Sequence, residues 1–527
     1  MSHLPQAPSK RLLALHGWSG TLLGLFLYVV VVTGTVAVLA NEIAQWSASA
    51  SGRSVLQPGV DATVKRLAAE LDPAAIENVR VFATPTGNTF IYFWALAERE
   101  DGRKMARGTQ FVVDPNTQQV QKRYDGWSDE LPFAEESSAL EHFIANLHIR
   151  LHAPHPWGIF ATGILGFVML IAVVTGVLLH KHLIKELLLT PRFKNPLLTA
   201  RDRHILAGSW SLPFGFVLAF TGTFYSFAGS LTIPAVAYVA FGGDIEALQE
   251  SVIGGTLPED TTPSGLADLD AMIIEATERT GTAPIGINIT HFGRADALVE
   301  LHHGAADGAL SGETVRHEGA SGSYLGPKPF IGNEPSLGNS LVMLIGPLHF
   351  GNFAGLLSKL VWFSLGVALS YVTLTGMRLW TARRAEDPKW AWMERAVVTF
   401  GYGTCIAMAG AAVGFFPGLV RGAAESFTAW GFSVTAVGAM LFGMLWPTLN
   451  GATRVLRAVL GVALIVLPAL RIIFGGAGWA KLLSDGSLIV MALDLTLLVG
   501  GIACLWLATR PSTKAISLTP EVAGATG

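Results

Sequence analysis

The stretch "LHGWSGTLLGLFLYVVVVTG", residues 15–34, decides the fold of this chain, because it is apolar almost throughout yet carries a histidine near its start. It returns in much the same arrangement as "RHILAGSWSLPFGFVLAFTG" at residues 203–222. Aligned without a gap, the two stretches share a histidine, a glycine four residues later and a Thr-Gly pair: His16 and His204, Gly20 and Gly208, Thr33–Gly34 and Thr221–Gly222. About 20 apolar residues suffice to cross a bilayer. The pattern therefore predicts a membrane helix that occurs twice, with a histidine near the same end of each copy.

The composition is that of a membrane protein with many spans. The chain has 527 residues, of which 51% are hydrophobic and only 14% are charged, whereas soluble domains average about 25% charged residues. No nucleic-acid partner is expected. The two cysteines, Cys405 and Cys504, exclude a c-type haem attached at C-x-x-C-H and any multi-cysteine zinc or iron–sulfur site. No G-x-G-x-x-G motif follows a strand, so a nicotinamide or flavin site is not expected either.

Eight stretches are long and apolar enough to be membrane spans: residues 13–40, 157–180, 205–229, 355–380, 394–417, 427–449, 455–475 and 486–508. Basic residues cluster in the loop 181–203 and after the fourth, sixth and eighth spans, on the same side as Lys10 and Arg11. Cytoplasmic loops carry an excess of Lys and Arg, so both termini are predicted to be cytoplasmic. The first span is interpreted as a retained helix rather than a signal peptide.

Two long polar segments then lie outside the cytoplasm, and each has the pattern of a small α+β unit with the order helix, strand, strand, strand. The predicted fold is a polytopic α-helical membrane protein of about eight transmembrane helices, with two α+β domains and an internal repeat of helix, domain, helix. The predicted divisions are 1–40 (N-terminal tail and first span), 41–155 (first outer domain), 156–229 (second and third spans with the basic loop), 230–347 (second outer domain), 348–385 (fourth span), 386–510 (four additional spans) and 511–527 (cytoplasmic tail).

The repeated histidines suggest haem ligands. Two imidazoles from facing helices are the usual way to hold a b-type haem in a helix bundle. Residues four apart share a helix face, so Gly20 and Gly208 would leave room for a porphyrin beside His16 and His204. A second haem near the outer surface would use His349 with either His148 or His152. The spacing of these two histidines does not decide which of them is the ligand. Basic residues at the same levels could neutralise the haem propionates, namely Arg11, Arg150 and Arg378.

Each of these residues also has a structural interpretation. A histidine at a membrane interface is often a capping or anchoring residue, and glycines four residues from it can simply let helices pack closely. Asp494 in the eighth span is the clearest buried carboxylate, and either helix pairing or a functional role would account for it. A transporter is the weaker option, because no pair of acids suggests a proton relay.

Several motifs in order resemble the PepSY-associated transmembrane-helix family: "LHGWSG" at 15–20, "LHIRLH" at 147–152, "RDRH" at 201–204 and "LHFGNFAGLLSKLVW" at 348–362. The resemblance covers residues of about 10–385. It implies that the outer units are periplasmic PepSY-like domains, in proteins of the bacterial inner membrane that include di-haem reductases of ferric siderophores. By the same resemblance, the family's membrane histidines map onto His16, His204, His148 and His349. The four C-terminal spans are additional to that core, and Trp380 stands at the repeat position of His180.

The resemblance and the histidines together lead to the hypothesis of a haem-dependent oxidoreductase. A cytoplasmic donor or membrane quinol would reduce the inner of two b haems, and the outer haem would reduce a periplasmic acceptor such as a ferric siderophore. Iron would be released because hard oxygen ligands hold Fe(III) much better than Fe(II). The alternative is a non-redox, membrane-anchored PepSY module that binds or regulates a periplasmic peptidase or envelope partner. Trp94, Trp127 and Trp157 are candidates for the outer docking surface.

Overall fold

A computed structural model describes residues 6–48, 55–84, 86–100, 102, 104–130, 136–180, 183–188, 190–192, 196–244, 247–248, 257–306, 309–332, 334–384 and 387–510. The chain divides into two compact units. The membrane unit comprises Met1–Ser47, Glu136–Thr232 and Leu356–Gly527, and the sheet unit comprises Ala48–Glu135 and Ile233–Gly355. Each unit is built from both copies of the repeat.

The membrane-spanning helices follow the predicted apolar stretches closely. In the described part of the chain, seven helices are long and apolar enough to cross a bilayer, and an eighth span is a helix pair bent by 69°. Spans 1 to 8 are Ala7–Leu22 with Gly24–Ala37 (the bent pair), Trp157–Leu179, Leu197–Phe241, Gly355–Ala382, Ala391–Arg421, Ala424–Leu445, Leu449–Ile473 and Leu488–Thr509. The predicted polytopic helical architecture is thereby confirmed.

Spans 1 to 4 pack in a way that repeats. A Cβ at Gly366 of span 4 would lie 2.6 Å from the Thr35 hydroxyl of span 1, and a Cβ at Gly166 of span 2 would lie 2.6 Å from the Thr223 hydroxyl of span 3. Thr35 and Thr223 stand at the same offset from His16 and His204. Apolar side chains fill the space among the four spans: Leu27, Val31, Leu165, Met169, Phe214, Ala219 and Leu369. The sequence repeat is therefore also a repeat of helix contacts.

Glycines set the packing of the four additional spans. Span 5 carries Gly410, Gly414 and Gly418 at intervals of four, and Gly431 of span 6 lies against the first two. A Cβ at Gly431 would clash with the Gly410 carbonyl oxygen. Spans 7 and 8 meet in the same way through Gly461 and Gly501. Small residues let helix backbones approach closely in lipid, where dispersion contacts drive helix association.

A buried ion pair joins these additional spans to the first repeat. Asp494 of span 8 accepts hydrogen bonds from the Arg471 guanidinium of span 7, at 2.6 Å and 3.3 Å. The indole Nε1 of Trp46, in helix Ala40–Ala48, donates to the same carboxylate at 2.8 Å, and so does that of Trp479. Arg471 also donates to the Ala477 carbonyl at 2.7 Å. Of the two interpretations of Asp494, the contacts support helix pairing.

The sheet unit contains one antiparallel sheet of eight strands within the described residues, in the order β4-β3-β2-β1-β5-β6-β7-β8. The strands are β1 Asn78–Ala83, β2 Thr89–Glu98, β3 Lys104–Val113, β4 Val120–Trp127, β5 Pro284–Thr290, β6 Leu298–His303, β7 Thr314–Glu318 and β8 Tyr324–Lys328. The first polar segment supplies β1–β4 and the second supplies β5–β8. They join where β1 pairs with β5, with Val79 opposite Ile289 and Val81 opposite Ile287.

Two helices pack on one face of this sheet and complete its core. Helix Val60–Ala68 precedes β1 and helix Leu269–Thr280 precedes β5, so the predicted α+β order recurs in both halves. Their buried residues, among them Val64, Leu67, Met272 and Ile273, join Val81, Ile91 and Ile287 of the strands in one hydrophobic cluster. Helices Ile233–Phe241 and Leu337–Phe350 belong to the same unit.

The structure adds to the sequence prediction in two respects. Each half has a fourth strand, β4 or β8, at an edge of the sheet, where only three were predicted. The predicted turn "DPNT" at 114–117 separates β3 from β4, and Asp114 accepts backbone hydrogen bonds from Asn116 and Thr117 there. In addition, the two predicted outer units share a single sheet rather than one sheet each.

Two buried histidines make the stability of the sheet unit dependent on pH. Burial lowers the pKa of His303, which donates from Nδ1 to the Thr282 carbonyl at 2.7 Å. Burial also lowers the pKa of His317, although the nearby Glu275 carboxylate opposes the shift. The unfolded chain therefore binds more protons than the folded one below the ordinary histidine pKa of about 6.5, so stability is lost as the pH falls through that range.

We therefore expect thermal unfolding, followed by tryptophan fluorescence, to occur at a lower temperature at about pH 5 than at about pH 7.5. Replacing His317 by Leu removes one of the two groups and should narrow the difference. Replacing the half-buried His142, which lies in the membrane unit, serves as the control. If His317→Leu leaves the pH difference unchanged, the buried histidine does not cause it.

Candidate functional site

His16 is held against span 2 by its Nδ1 atom. Nδ1 lies 3.0 Å from the carbonyl oxygen of Ala172 and 3.1 Å from the hydroxyl oxygen of Thr175. The ring packs beside Gly176, where a Cβ would lie 3.5 Å from the His16 Cε1 atom. The Thr-Gly pair of span 2 thus supplies a hydroxyl and a vacant side-chain position for the imidazole.

His204 occupies the corresponding place on span 4. Its Nδ1 lies 3.1 Å from the Thr375 hydroxyl, and the backbone of Val372 provides a further hydrogen bond. A Cβ at Gly376 would lie 3.2 Å from the His204 Cε1 atom. In both sites the carbonyl comes from the residue three positions before the threonine, and the glycine directly follows it. We call this arrangement of carbonyl, threonine hydroxyl and glycine a Thr-Gly seat.

The hydrogen bonds determine which ring nitrogen carries the proton. The Thr175 hydroxyl donates to the Ile171 carbonyl at 2.7 Å, and the Thr375 hydroxyl donates to the Tyr371 carbonyl at 2.8 Å. Each hydroxyl therefore offers only an acceptor to the histidine, as does a carbonyl. Nδ1 of His16 and of His204 must be the donor. The lone pair is then on Nε2, the nitrogen with which such a neutral imidazole binds a metal.

The two seated rings lie next to each other. Their centroids are 6.5 Å apart and their planes are inclined by 73°. Two imidazoles that share one metal atom, each through a nitrogen about 2 Å from it, have centroids about 6 Å apart. Edge-on aromatic pairs also reach this separation. The distance alone therefore does not tell a metal-binding pair from an aromatic contact. What favours a metal-binding pair is that neither Nε2 has a hydrogen-bond partner in the described part of the chain.

The glycines four residues after these histidines border open space. A Cβ at Gly20 would meet no atom within 4 Å in the described residues, and one at Gly208 would meet only Val372, at 3.9 Å. The residues present therefore fit a haem in three respects: two neutral imidazoles, their Nε2 atoms available, and room beside each ligand. No group of three or more metal-binding side chains occurs among the described residues, and a haem needs only the axial pair.

His148 packs against the corresponding carbonyl and glycine of span 1. Its Nδ1 donates to the Val30 carbonyl at 2.9 Å, and a Cβ at Gly34 would lie 2.6 Å from its Cε1 atom. Val30 is three residues before Thr33, and Gly34 follows Thr33. The Thr-Gly pair at the far end of the opening stretch thus has a partner that the sequence analysis did not find. The signal was the recurrence of Thr-Gly in all four spans of the repeat.

His152 is arranged differently, which separates the two outer candidates. The chain leaves helix Ala139–Arg150 through two left-handed residues, Leu151 and His152, with φ of 52° and 53°. The His152 ring turns back onto this helix, where Nε2 bonds to the Phe143 carbonyl at 2.9 Å and the ring stacks on that of Phe143. The nitrogen of His152 that would bind a metal is engaged, and of the two histidines His148 is the one that packs against a Thr-Gly pair.

The other predicted site residues have these positions. His349 belongs to the sheet unit, near the end of helix Leu337–Phe350, with its ring edge-on to Phe350. Arg378 follows the seat of His204 by two residues on span 4 and lies 3.8 Å from Glu394. Arg11 is exposed near the start of span 1, and Arg150 ends the helix that carries His148.

The structure gives a reason for the mismatch between His180 and Trp380. Trp380 packs edge-on against Trp18 of span 1, with ring centroids 5.1 Å apart, and its ring lies directly against Gly17. The Arg384 guanidinium stacks over the Trp380 ring at 3.5 Å. Trp380 thus has a packing role that is specific to the second copy of the repeat. His180 lies beyond the last turn of span 2.

The fold and the seated histidines define a class of protein: a multi-pass membrane protein built on a duplicated pair of spans, each pair interrupted by a segment of an α+β sheet unit. The chain belongs to the family described as the PepSY-associated TM region, whose model matches residues 13–383. The chain is also similar to an uncharacterized protein of Pseudomonas aeruginosa, with 26% identity over 374 residues that cover 68% of this chain and 91% of that protein. Both results agree with the resemblance noted in the sequence.

Proposed function

We propose that this protein transfers electrons across the bacterial inner membrane through two b-type haems and reduces a periplasmic acceptor, a ferric siderophore. The observation that carries the proposal is the pair of His16 and His204, since both are fixed as Nδ1-protonated imidazoles with Nε2 available and with their centroids 6.5 Å apart. Histidines that only anchor helices at the membrane interface would not need matched seats on two different spans. The inner haem would be held by this pair, and His148 is the candidate ligand of the outer haem.

The spacing along span 2 supports two haem levels. His148 is followed by Ile149, whose carbonyl accepts a hydrogen bond from Thr162, whereas His16 bonds to Ala172. These two contacts are ten residues apart on one continuous helix, which corresponds to about 15 Å. Two ligand levels at this separation fit within a hydrocarbon core about 30 Å thick.

The chain's own residues hold and shield the ligands. Bound haem would supply a one-electron carrier at each histidine pair. The Thr-Gly seats of spans 2 and 4 place the Nδ1 proton of the two inner imidazoles and orient their rings. Between the two levels, Leu27, Leu165, Met169 and Leu369 form a layer without charged groups, which excludes water from the interior of the four spans. Arg11 and Arg378 would pair with the propionates of the inner haem.

The direction of transfer follows from the charge pattern. If the basic loops face the cytoplasm, the His16–His204 pair is on the donor side and the His148 level is on the acceptor side. The chain has no motif for a nicotinamide or flavin, so a separate cytoplasmic donor or a membrane quinol would deliver the electron. Reducing Fe(III) to Fe(II) weakens its binding by hard oxygen ligands, so one electron suffices to release iron from the chelate.

The absorption spectrum of the protein purified in detergent from haem-replete cells tests this proposal. We expect a Soret band and, after dithionite reduction, a sharp α band, with two haems per chain by pyridine haemochrome analysis. The reduced protein should then be reoxidised by an added ferric trihydroxamate under anaerobic conditions, with formation of Fe(II) that a ferrous chelator captures.

A colourless preparation would overturn the haem proposal. It would favour the alternative function, a PepSY module that binds or regulates a periplasmic peptidase or envelope partner, with the spans as anchors. A ratio of one haem per chain would remove the outer site. A di-haem protein that is not reoxidised by the ferric chelate would retain electron transfer but exclude this acceptor.

A further inference from the structure

The function proposed so far uses the Thr-Gly pairs only to orient the inner imidazoles. In spans 2 and 4, however, each pair contacts a histidine in the same way. The contact is made by three groups in fixed order along one helix: a carbonyl, a threonine hydroxyl three residues later, and a glycine directly after it.

We propose that Thr175 and Thr375 are positioning residues that set the strength with which His16 and His204 bind haem iron. This inference rests on the proposed haem function and concerns the chain's own hydrogen bonds. It assigns a role to the hydroxyl group itself, beyond the shape of the side chain.

The chemistry follows from the direction of the hydrogen bonds. Because the Thr175 hydroxyl gives its proton to Ile171, its oxygen can only accept from Nδ1–H of His16. The Thr375 hydroxyl is bound in the same way to Tyr371 and faces His204 as an acceptor. An acceptor at Nδ1–H makes the opposite nitrogen more basic, as in metal sites where a carboxylate or carbonyl orients the ligand. A more basic ligand favours the ferric over the ferrous state.

The glycine completes the seat on steric grounds. A methyl group at residue 376 would lie 3.2 Å from the His204 ring, which is closer than ordinary van der Waals contact, and one at residue 176 would lie 3.5 Å from the His16 ring. A larger side chain at either position would push the imidazole away from the hydroxyl. Glycine directly after each threonine therefore lets the imidazole lie against the hydroxyl.

Replacing Thr175 or Thr375 by Val tests the inference, because valine keeps the branched shape and removes only the hydroxyl. We expect each variant to lose haem to a scavenging apoprotein about tenfold faster than the wild type. We also expect the midpoint potential of one of the two haems to move upward in a redox titration followed at the α band. The two variants should behave alike, since the two seats have the same design.

The controls separate a hydrogen-bonding role from a packing role. Thr175→Ser and Thr375→Ser keep the hydroxyl and should restore the wild-type potential. Thr373→Val is the matched control on span 4, because the Thr373 hydroxyl bonds to the Leu369 carbonyl and, within the described residues, to no histidine, and lies on another side of the helix. It should leave both the rate of haem loss and the potential unchanged.

The outcomes distinguish this inference from the proposed function. If the wild-type protein binds no haem, the proposed function fails and the inference fails with it. If His16→Ala removes a haem while both valine variants keep wild-type potential and haem retention, the function stands and the inference is wrong. If Thr373→Val shifts the potential as much as Thr375→Val, the effect is general helix packing, and this also contradicts the inference.

Discussion

Replacing either His16 or His204 by Ala is expected to remove one of the two haems and leave the other. The two imidazoles lie 6.5 Å apart, and each is fixed by a separate span, so no other seated histidine among the described residues can substitute for the one that is lost. The haem-to-protein ratio should fall from about two to about one in each variant and no further in the double variant. Pyridine haemochrome analysis of detergent-purified protein measures this ratio.

His152→Ala is the matched control for these variants. His152 follows His148 by four residues in the sequence, yet its Nε2 is bonded to the Phe143 carbonyl, so its loss should leave both haems in place. His148→Ala, in contrast, should remove the second haem while preserving the first. A full complement of haem in His16→Ala or in His204→Ala would contradict the inner pair, whatever the result for His148.

Replacing Asp494 by Ala is expected to destabilise the folded protein strongly. The change leaves the fully buried Arg471 guanidinium without its counter-ion, and two indole N–H groups, of Trp46 and Trp479, lose their acceptor. Removing one member of a buried ion pair typically costs about 3–5 kcal/mol. A large drop in the detergent unfolding temperature, or loss of the monodisperse peak in gel filtration, should reveal the effect.

Two comparisons show whether the unpaired charge is the cause. The double replacement of Arg471 and Asp494 by Leu removes both charges and should be less destabilising than Asp494→Ala, because no buried charge remains. Glu70→Gln disrupts an exposed pair with Arg66, at 3.5 Å, and should leave the unfolding temperature unchanged. If Asp494→Ala unfolds at the wild-type temperature, the network does not stabilise the packing of spans 7 and 8.

The membrane spans could be predicted from the sequence because their signal is local. Each is a run of apolar residues of the required length, and the positions of Trp157–Leu179 and Gly355–Ala382 agree with prediction to within two residues. The bend of 69° in span 1 could not be predicted, since nothing in the run around Leu23 breaks its hydropathy. The pairing of β1 with β5 had no local signal either, because it joins residues far apart in the chain.

The histidines of the candidate site could be predicted from the sequence, but the residues that hold them in place could not. The gap-free alignment of His16 with His204 indicated a pair, and the structure places the two rings side by side. The role of Thr175 and Thr375 depends on which helix each histidine packs against, and an alignment of repeats carries no such information. The distinction between His148 and His152 depended on two residues in the left-handed conformation, Leu151 and His152. Neither is a glycine, so this turn has no signal in the sequence.

The pairing of β1 with β5 has a consequence for how the protein is made. About 200 residues separate the end of β1 at Ala83 from the start of β5 at Pro284. At a synthesis rate of about 5–20 residues per second, the ribosome needs about 10–40 s to produce the missing neighbour. During that time the first half of the sheet has an unpaired edge with Val79 and Val81 at its centre, and such an edge invites association with other chains. Spans 2 and 3 are synthesised within the same interval, so any delay in their insertion would lengthen the time for which a nascent chain is exposed to aggregation.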